Sequence, residues 1–300
     1  MRVLLFSVFA ALILSACSSR QILNATASDS GYALTQNIVY EDGTGEKLDI
    51  YTPNGAKNAP VVVFFFGGRW SEGDKQDYKF VAEALTARGF VTVIPDYRLY
   101  PRAHYMELLD DSARAVAWVH AHIAGYGGGG SRIVVMGHST GAYNAAMITL
   151  DPQFMVRAGG NRNWIRGMVG LAGPYDFLPI TDPDLRDLFG PPETFDLTQP
   201  IFHVDGNNPP LLLMHGGKDE TIDIKNTTNL FDRVKRAGGA AEKVIYPDLG
   251  HSRILDVVGV RLQGSADVVN KIDAFVNRVT VGNAPSVVQP SSIQTYVPPK

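Results

Sequence analysis

The fold is decided by the stretch Arg132-Ile133-Val134-Val135-Met136-Gly137-His138-Ser139-Thr140-Gly141. Its first half is an apolar run of strand length, and the residues that follow have the composition of a helix. Between the two, a Gly-x-Ser-x-Gly pattern is typical of a sharp turn that holds a serine in a strained conformation with its hydroxyl exposed. Glycine at the two flanking positions lets the strand and the helix pack closely. The stretch therefore predicts a nucleophile, Ser139, at the end of a central strand.

The composition indicates a globular protein without nucleic-acid, metal or cofactor partners. The chain has 300 residues, which is enough for one large α/β domain. A formal net charge of −3 argues against a nucleic-acid partner. The single cysteine, Cys17, excludes a disulfide within the chain. No histidines, cysteines or carboxylates have the spacing of metal ligands, so we expect no metal and no other cofactor.

The first residues have the pattern of a secretory signal, in which Arg2 is followed by an apolar segment and then by Leu14-Ser15-Ala16-Cys17. The apolar segment is too short for a comfortable transmembrane helix. Leu-Ser-Ala-Cys resembles the lipobox of bacterial lipoproteins, although an ordinary cleaved signal is the alternative. The resemblance implies a signal peptide at residues 1–16 and a membrane anchor through a lipid on Cys17. Because Ser18 rather than aspartate follows, it also implies an outer-membrane address in the bacterial cell envelope.

The rest of the chain alternates between strand and helix patterns. Apolar runs without polar alternation predict buried parallel strands at Val61–Phe66, Val91–Ile94, Ile133–Met136, Met168–Leu171 and Leu211–Met214, with Lys243–Tyr246 as the last strand. Helical patterns fall at Asp77–Arg88, Tyr105–Ala124, Thr140–Leu150, Lys225–Ala237 and Ser265–Arg278. The alternation predicts a mostly parallel, doubly wound α/β sheet.

The flanking segments are expected to differ from this sheet. Asn37–Tyr40 and Lys47–Tyr51 surround a turn and predict an antiparallel hairpin at the start of a domain that spans residues 36–280. Residues 17–35 are polar and small, as in a tether, and residues 281–300 are expected to form a disordered tail. Residues 174–209 break the alternation, and they are either a small cap over the site or a surface crossover.

A serine nucleophile needs a base, and the base needs an acid that orients it. In the chain order Ser, Asp, His, the acid follows the next-to-last strand and the histidine follows the last one. His251 lies directly after the last predicted strand, and Asp219 follows the strand before it. We therefore predict that Ser139, Asp219 and His251 form a catalytic triad. The alternative acids are Glu220, Asp223 and Asp248.

A tetrahedral intermediate also needs hydrogen-bond donors for its oxyanion. One expected donor is the backbone N–H of Thr140, directly after the nucleophile. The second should come from the loop after the early strand, where Gly67 and Gly68 let main-chain N–H groups approach a substrate.

These motifs together resemble the α/β-hydrolase esterases of the hormone-sensitive-lipase and carboxylesterase-like groups. The likeness rests on Phe66-Gly67-Gly68-Arg69-Trp70, Asp96-Tyr97-Arg98-Leu99 and Gly137-His138-Ser139-Thr140-Gly141, and it spans roughly residues 37–278. It implies the α/β-hydrolase fold, an ester substrate and an acyl-enzyme mechanism. Trp70, Tyr175 and Phe177 are candidates for the substrate pocket.

Two positions depart from the family pattern. Phe66 replaces a histidine, which removes a polar group that would hold the oxyanion loop, and Arg69 replaces the third glycine. We expect Arg69 to pair with a nearby acid (Glu72, Asp74 or Asp96), although binding to an anionic group of the substrate is the alternative. Asp96 and Arg98 are expected to brace this loop.

The predicted function is the hydrolysis of carboxylic esters. Two rival hypotheses remain, namely an amidase or peptidase of the same fold, and a catalytically silent binding protein. The departures at Phe66 and Arg69 are the features that favour the silent protein.

Overall fold

A computed structural model describes residues 19–281 of the chain. The predicted signal peptide, Cys17 and residues 282–300 of the predicted tail lie outside the described residues. Within the described range, none of the helices combines the length and the apolar character that crossing a membrane requires.

Eight strands form one sheet with the spatial order β1-β2-β4-β3-β5-β6-β7-β8. Their bounds are β1 Tyr32–Glu41, β2 Glu46–Pro53, β3 Ala59–Phe65, β4 Val91–Pro95, β5 Gly128–His138, β6 Ile165–Leu171, β7 Leu211–Gly216 and β8 Ala241–Tyr246. The β1–β2 and β2–β4 pairs are antiparallel, and the pairs from β4 to β8 are parallel. This arrangement confirms the predicted mostly parallel sheet with an antiparallel hairpin at its start.

The central strands are apolar because both of their faces are covered. Every side chain from Val61 to Phe65 is fully buried, as are Val134, Val135 and Met136 in the neighbouring strand β5. Helices on the two faces exclude water from these positions, which explains why the sequence shows no polar alternation there.

The helices are α1 Ser19–Thr26, α2 Lys79–Thr86, α3 Tyr105–His122, α4 Thr140–Leu150, α5 Pro152–Arg157, α6 Pro183–Phe189, α7 Lys225–Arg236, α8 Arg253–Asp256 and α9 Val268–Thr280. A 3₁₀ turn, Lys75–Tyr78, precedes α2 and takes up the start of the helix that was expected at Asp77. The last helix, α9, ends beside the start of β5, where Arg132 Nε donates to the Thr280 carbonyl oxygen at 3.2 Å.

Residues 19–35 differ from the expected tether. Helix α1 packs on the domain through the buried Leu23, Ala27 directly after the helix is buried too, and β1 begins at Tyr32. The local composition is polar, but two apolar side chains at the right spacing are enough to dock one short helix on a core that already exists.

Residues 174–209 connect β6 to β7 and contain α6 and two 3₁₀ turns, Pro192–Thr198 and Pro200–His203. Leu188 and Phe189 at the end of α6 are buried in the core. The segment thus packs on the body of the domain at the carboxyl end of the sheet, next to the residues described below.

Candidate active site

Ser139 lies at the turn between β5 and α4 with a φ of 54° and a ψ of −126°. A positive φ is rare for a residue with a side chain, and the surrounding contacts hold it there. A Cβ at Gly137 would collide with the carbonyl of Gly141, and a Cβ at Gly141 would collide with the carbonyl of Phe65. Both glycines of the motif are therefore required by the close packing of strand and helix.

The structure brings together the three side chains that the sequence singled out. His251 Nε2 lies 2.9 Å from Ser139 Oγ, and His251 Nδ1 lies 2.8 Å from Asp219 Oδ2. The three residues follow β5, β7 and β8, whose carboxyl ends meet at one edge of the sheet. This geometry lets the imidazole accept the serine proton while the carboxylate holds the other ring nitrogen.

The Asp219 carboxylate is fully buried and has several donors. Its Oδ1 accepts the backbone N–H groups of Thr221 and Ile222, each at 2.9 Å, and His215 Nε2 lies 3.2 Å from Oδ2. Burial by itself would raise the pKa of Asp219, but the hydrogen bonds from His215 and His251 and from the Ile222 N–H lower it well below its usual value. The group is therefore a carboxylate at neutral pH.

The alternative acids have other surroundings. Asp248 pairs with Lys218 at 2.8 Å, and Asp223 accepts the backbone N–H of Lys225 at 2.9 Å. Glu220 is exposed to solvent. The geometry therefore favours Asp219 as the partner of His251.

His138, inside the serine motif, has a buried side chain that contacts the backbone of His251. Its Nε2 lies 2.8 Å from the His251 carbonyl oxygen, and the two ring centroids are 4.9 Å apart. Burial, with a smaller contribution from His251, lowers the pKa of His138 from 6.5 to about 3, so the ring is neutral at neutral pH. A neutral ring that donates from Nε2 ties the His251 loop to the serine turn.

The loop after β3 lies against Ser139. A methyl group at Gly67 would lie 2.9 Å from Ser139 Cβ, so only glycine fits there. The next three residues, Gly68, Arg69 and Trp70, all have positive φ. The N–H of Gly68 donates to Thr140 Oγ1 at 3.1 Å. The Thr140 N–H is at the first position of α4, where backbone donors have no acceptor within the helix.

Two tyrosine hydroxyls hold this loop where the related pattern has a histidine. Tyr97 Oη donates to the Phe66 carbonyl oxygen at 2.7 Å, and Tyr78 Oη donates to the Gly67 carbonyl oxygen at 3.2 Å. The Phe66 ring stacks on both tyrosines, with centroid distances of 4.7 Å to Tyr97 and 5.6 Å to Tyr78. The change to phenylalanine therefore leaves the loop supported through its backbone.

Arg69 pairs with none of the three acids that were expected. Its guanidinium lies 3.0 Å from Asp182 Oδ2, and both side chains are partly exposed. Asp182 belongs to the 174–209 segment, so the ion pair connects that segment to the oxyanion loop.

Asp96 accepts from the backbone N–H and the ammonium of Lys75, at 3.0 and 2.9 Å, and thereby braces the turn after the loop. Arg98 instead pairs with Asp111 of α3 at 2.7 Å.

A cleft of about 270 Å³ opens beside Ser139 and has mostly apolar walls. Trp70 and Phe177 line it, as expected. Tyr175 does not, because its side chain is completely buried behind the cleft. Sequence reasoning missed the lining residues Pro174, Pro179, Ile180, Leu185 and Ile222. A larger cavity of about 680 Å³ lies at the opposite, amino edge of the sheet, away from Ser139.

Comparisons with known proteins find esterases among the relatives of this chain. The chain is 28% identical over 271 residues to esterase LipC of Mycobacterium tuberculosis. This alignment covers 83% of this chain and 66% of LipC. It is 28% identical over 239 residues to an isoprenylcysteine alpha-carbonyl methylesterase of Arabidopsis thaliana. This second alignment covers 72% of this chain and 56% of the relative. The chain thus spans between half and two thirds of the length of the curated relatives it matches.

Solved structures share the fold. Esterase 2 of Thermogutta terrifontis, phosphonylated by sarin, superposes with a TM-score of 0.70 at 22% identity and covers 85% of this chain and 98% of its own. The butyrate-bound form of the same esterase has a TM-score of 0.68 at 21% identity, with 83% and 95% covered. The chain therefore has the α/β-hydrolase fold of these esterases.

The BD-FAE family matches residues 48–234, which include Ser139 and Asp219 but not His251 or α1. Because this match covers more than half of the 300 residues, the chain belongs to the BD-FAE family.

Proposed function

We propose that this chain hydrolyses carboxylic esters through an acyl-enzyme on Ser139. The observation that carries the proposal is the relay of two hydrogen bonds, in which His251 lies 2.9 Å from Ser139 Oγ and 2.8 Å from Asp219 Oδ2. The esterase names of the relatives support the ester class, and the sarin adduct of the Thermogutta esterase supports a reactive nucleophile on this fold.

Acylation begins when His251 Nε2 takes the hydroxyl proton as Ser139 Oγ attacks the ester carbonyl carbon. A new C–O bond forms, and the carbonyl electron pair moves onto the oxygen. When the intermediate collapses, the bond to the alcohol oxygen breaks and His251 gives its proton to the leaving alcohol. Asp219 stabilises the imidazolium and keeps the ring in the required tautomer.

Deacylation repeats these steps with water as the nucleophile. Water transfers a proton to His251 and attacks the acyl carbon, and the collapse breaks the bond to Ser139 Oγ. His251 then returns the proton to Ser139, and a carboxylic acid leaves. The backbone N–H groups of Thr140 and of Gly67 or Gly68 stabilise the oxyanion, and Gly68 would exchange its bond to Thr140 Oγ1 for one to the substrate.

The cleft indicates which part of the ester lies beside the serine. Trp70, Phe177 and Ile180 provide an apolar surface for a compact acyl group, and the Arg69–Asp182 pair closes one side. The substrate class that fits is therefore an ester of a short acid.

We also propose that the chain is anchored to a bacterial membrane, in the outer membrane of the cell envelope, through a lipid on Cys17. The support is the position of its single cysteine directly after Leu14-Ser15-Ala16. Labelling of the wild type by an alkyne fatty acid, together with no labelling of Cys17→Ser, would support the anchor. Equal labelling of the wild type and Cys17→Ser would contradict it.

The decisive test of the proposed function is the variant Ser139→Ala. With 4-nitrophenyl butyrate as substrate, we expect kcat to fall about 10⁴-fold or more, because the variant lacks the hydroxyl that His251 contacts. Ser131→Ala is the matched control, since Ser131 is exposed near the start of the same strand. A fluorophosphonate probe should label the wild type and not Ser139→Ala.

The same assay separates the rival functions. If an anilide of the same acid is hydrolysed as fast as the ester, the chain is an amidase and not an ester hydrolase. A wild-type protein that neither turns over the ester nor reacts with the fluorophosphonate would indicate a silent binding protein.

A further inference from the structure

Helix α1 lies outside the part of the chain that matches the BD-FAE family, yet it contacts the 3₁₀ turn of Tyr78 and the helix α8 that follows His251. We propose that residues 19–26 form a positioning element for the active site, in which Arg20 supports the oxyanion loop and Ser19 supports the loop of His251. This inference rests on the proposed function, and it adds a segment that the family match does not contain.

The first link runs from Arg20 to the oxyanion loop through one tyrosine. Arg20 Nη1 donates to Tyr78 Oη at 2.8 Å, and Tyr78 Oη in turn donates to the Gly67 carbonyl oxygen at 3.2 Å. The guanidinium carbon also lies 5.3 Å from the centroid of the Tyr78 ring. Because the hydroxyl is buried and has a single proton, a donor from Arg20 directs that proton towards Gly67.

The second link joins Ser19 to the helix that follows His251. Ser19 Oγ donates to Asp256 Oδ2 at 2.7 Å, and Asp256 is 4% exposed. Asp256 is the last residue of α8, which begins at Arg253, two residues after His251. A buried carboxylate that loses a donor is costly, so this bond favours one position of α8.

Other contacts fix the orientation of α1. Leu23 is buried, and Asn24 Nδ2 donates to the Gln76 carbonyl oxygen at 2.6 Å. Gln76 belongs to the same 3₁₀ turn as Tyr78, so helix and turn are joined at more than one point. The helix therefore presents Ser19 to Asp256 and Arg20 to Tyr78 in a defined geometry.

The expected consequence is kinetic. Gly67 lies against Ser139 Cβ, and a small displacement of this loop moves the backbone N–H donors away from the developing oxyanion. Misplacement of this kind lowers the rate of the chemical step while substrate binding in the apolar cleft is retained. We expect Arg20→Met to reduce kcat about 10-fold and to leave KM within about twofold.

The test is a double-mutant cycle on the full chain with 4-nitrophenyl butyrate. Arg20→Met and Tyr78→Phe should each lower kcat, and the double variant should be no worse than Tyr78→Phe alone, because both changes break the same link. Arg20→Lys, which keeps a cationic donor, should restore most of the activity. Additive effects of Arg20→Met and Tyr78→Phe would overturn the proposed link, and so would wild-type kcat in Arg20→Met.

Arg88→Met is the matched control for a structural role. Arg88 also joins two elements, through Asp273 at 3.2 Å and Asn270 at 2.8 Å, but it does not contact the loops of the site. Its loss should lower the midpoint of thermal unfolding and leave kcat unchanged. Equal losses of kcat in Arg88→Met and Arg20→Met would show that general destabilisation, not positioning, explains both.

Hydrogen exchange separates this inference from the proposed function. If the wild-type chain hydrolyses no ester, the proposed function fails, and the positioning role is then judged by the backbone amides of residues 67–70. Faster exchange at these amides in Arg20→Met than in the wild type and Arg88→Met would support the link. Unchanged exchange would overturn it.

Discussion

His138 and Ser139 are neighbours in the chain, and both side chains contact His251, more than a hundred residues further on. Ser139 meets the imidazole ring, while His138 donates to the backbone carbonyl of the same residue. His251 is thereby held at two points by one turn. In the proposed mechanism, a fixed distance between Ser139 Oγ and His251 Nε2 favours proton transfer, because the two groups need no rearrangement when the substrate binds.

At the same scale, Asp219→Asn tests which acid orients the base. Asparagine keeps the shape of Asp219, but it cannot supply the negative charge that holds His251 Nδ1–H and stabilises the imidazolium. We expect kcat to fall about 10⁴-fold.

The comparison for this variant is Asp248→Asn, which removes only a surface pair with Lys218. Rates of 4-nitrophenyl butyrate hydrolysis should stay near wild type in that variant. A large loss in Asp248→Asn together with a small one in Asp219→Asn would transfer the role to Asp248.

Sequence reasoning could pick Ser139, Asp219 and His251 because each lies shortly after the end of a strand, in the chain order of α/β-hydrolases. It could not find the contacts from His138 to His251 or from Tyr78 to Gly67. Each of those contacts joins a side chain to a distant backbone carbonyl. Because every residue has a backbone carbonyl, the residue type does not indicate which one accepts a hydrogen bond. The partner of Arg69 was missed because Asp182 is remote in the chain, whereas the expected acids were local.

At the scale of elements, the 174–209 segment determines the shape of the cleft. Its residues Phe177, Ile180 and Leu185 line the space beside Ser139, while Phe189 packs in the core. The aromatic and proline content of this segment has no helical or strand period, so the sequence could not show which side chains face the cleft.

The volume of the cleft predicts a preference among acyl groups. At about 270 Å³ it is smaller than most pockets for drug-sized ligands, so we expect butyryl and shorter esters to react faster than octanoyl esters. Ile180→Ala removes a buried side chain from the wall and should raise the octanoyl-to-butyryl ratio of kcat/KM about 10-fold.

Val156→Ala serves as the reference for that experiment, because Val156 is an exposed apolar residue of α5. The octanoyl-to-butyryl ratio of kcat/KM in Val156→Ala should equal that of the wild type. An octanoyl preference already present in the wild type would show that the acyl chain does not occupy this cleft.

The difference at residues 19–35 has a physical origin at this scale. A tether and a docked helix can have similar composition, since docking here depends on Leu23, Ala27 and a few hydrogen bonds to the domain. Strands such as Val61–Phe66, by contrast, are predictable because burial on both faces demands an apolar residue at every position.

At the scale of the whole molecule, the buried His138 couples stability to pH. The pKa of this group is 6.5 when it is exposed and about 3 in the folded chain, because burial disfavours the charged ring. Between these values the unfolded chain binds a proton that the folded chain does not. The contribution of His138 to stability is therefore present above pH 6.5 and is lost as the pH falls towards 3.

We expect the free energy of unfolding, measured with urea at pH 7, 5 and 4, to fall less steeply in His138→Gln than in the wild type. Glutamine can still donate to the His251 carbonyl but does not titrate. His122→Gln, at an exposed position, should follow the wild-type curve. Identical slopes for all three proteins would mean that His138 does not set the acid response.

The sheet as a whole was predictable because strand and helix alternate at regular spacing, and parallel strands can be joined only by crossovers of that length. Which cavity contains the chemistry also follows from topology. Loops at the carboxyl ends of neighbouring parallel strands meet, so topology predicts the chemistry in the cleft beside Ser139 and not in the larger cavity at the opposite edge.

The two ends of the domain leave it in different places. Ser19 bonds to the helix after His251, whereas Thr280 bonds to Arg132 near the start of the strand that ends at Ser139. An affinity handle or a solid support joined beyond Thr280 therefore keeps the substrate entrance open. A support joined ahead of residue 19 instead attaches where the proposed lipid on Cys17 would, next to the helix that follows His251.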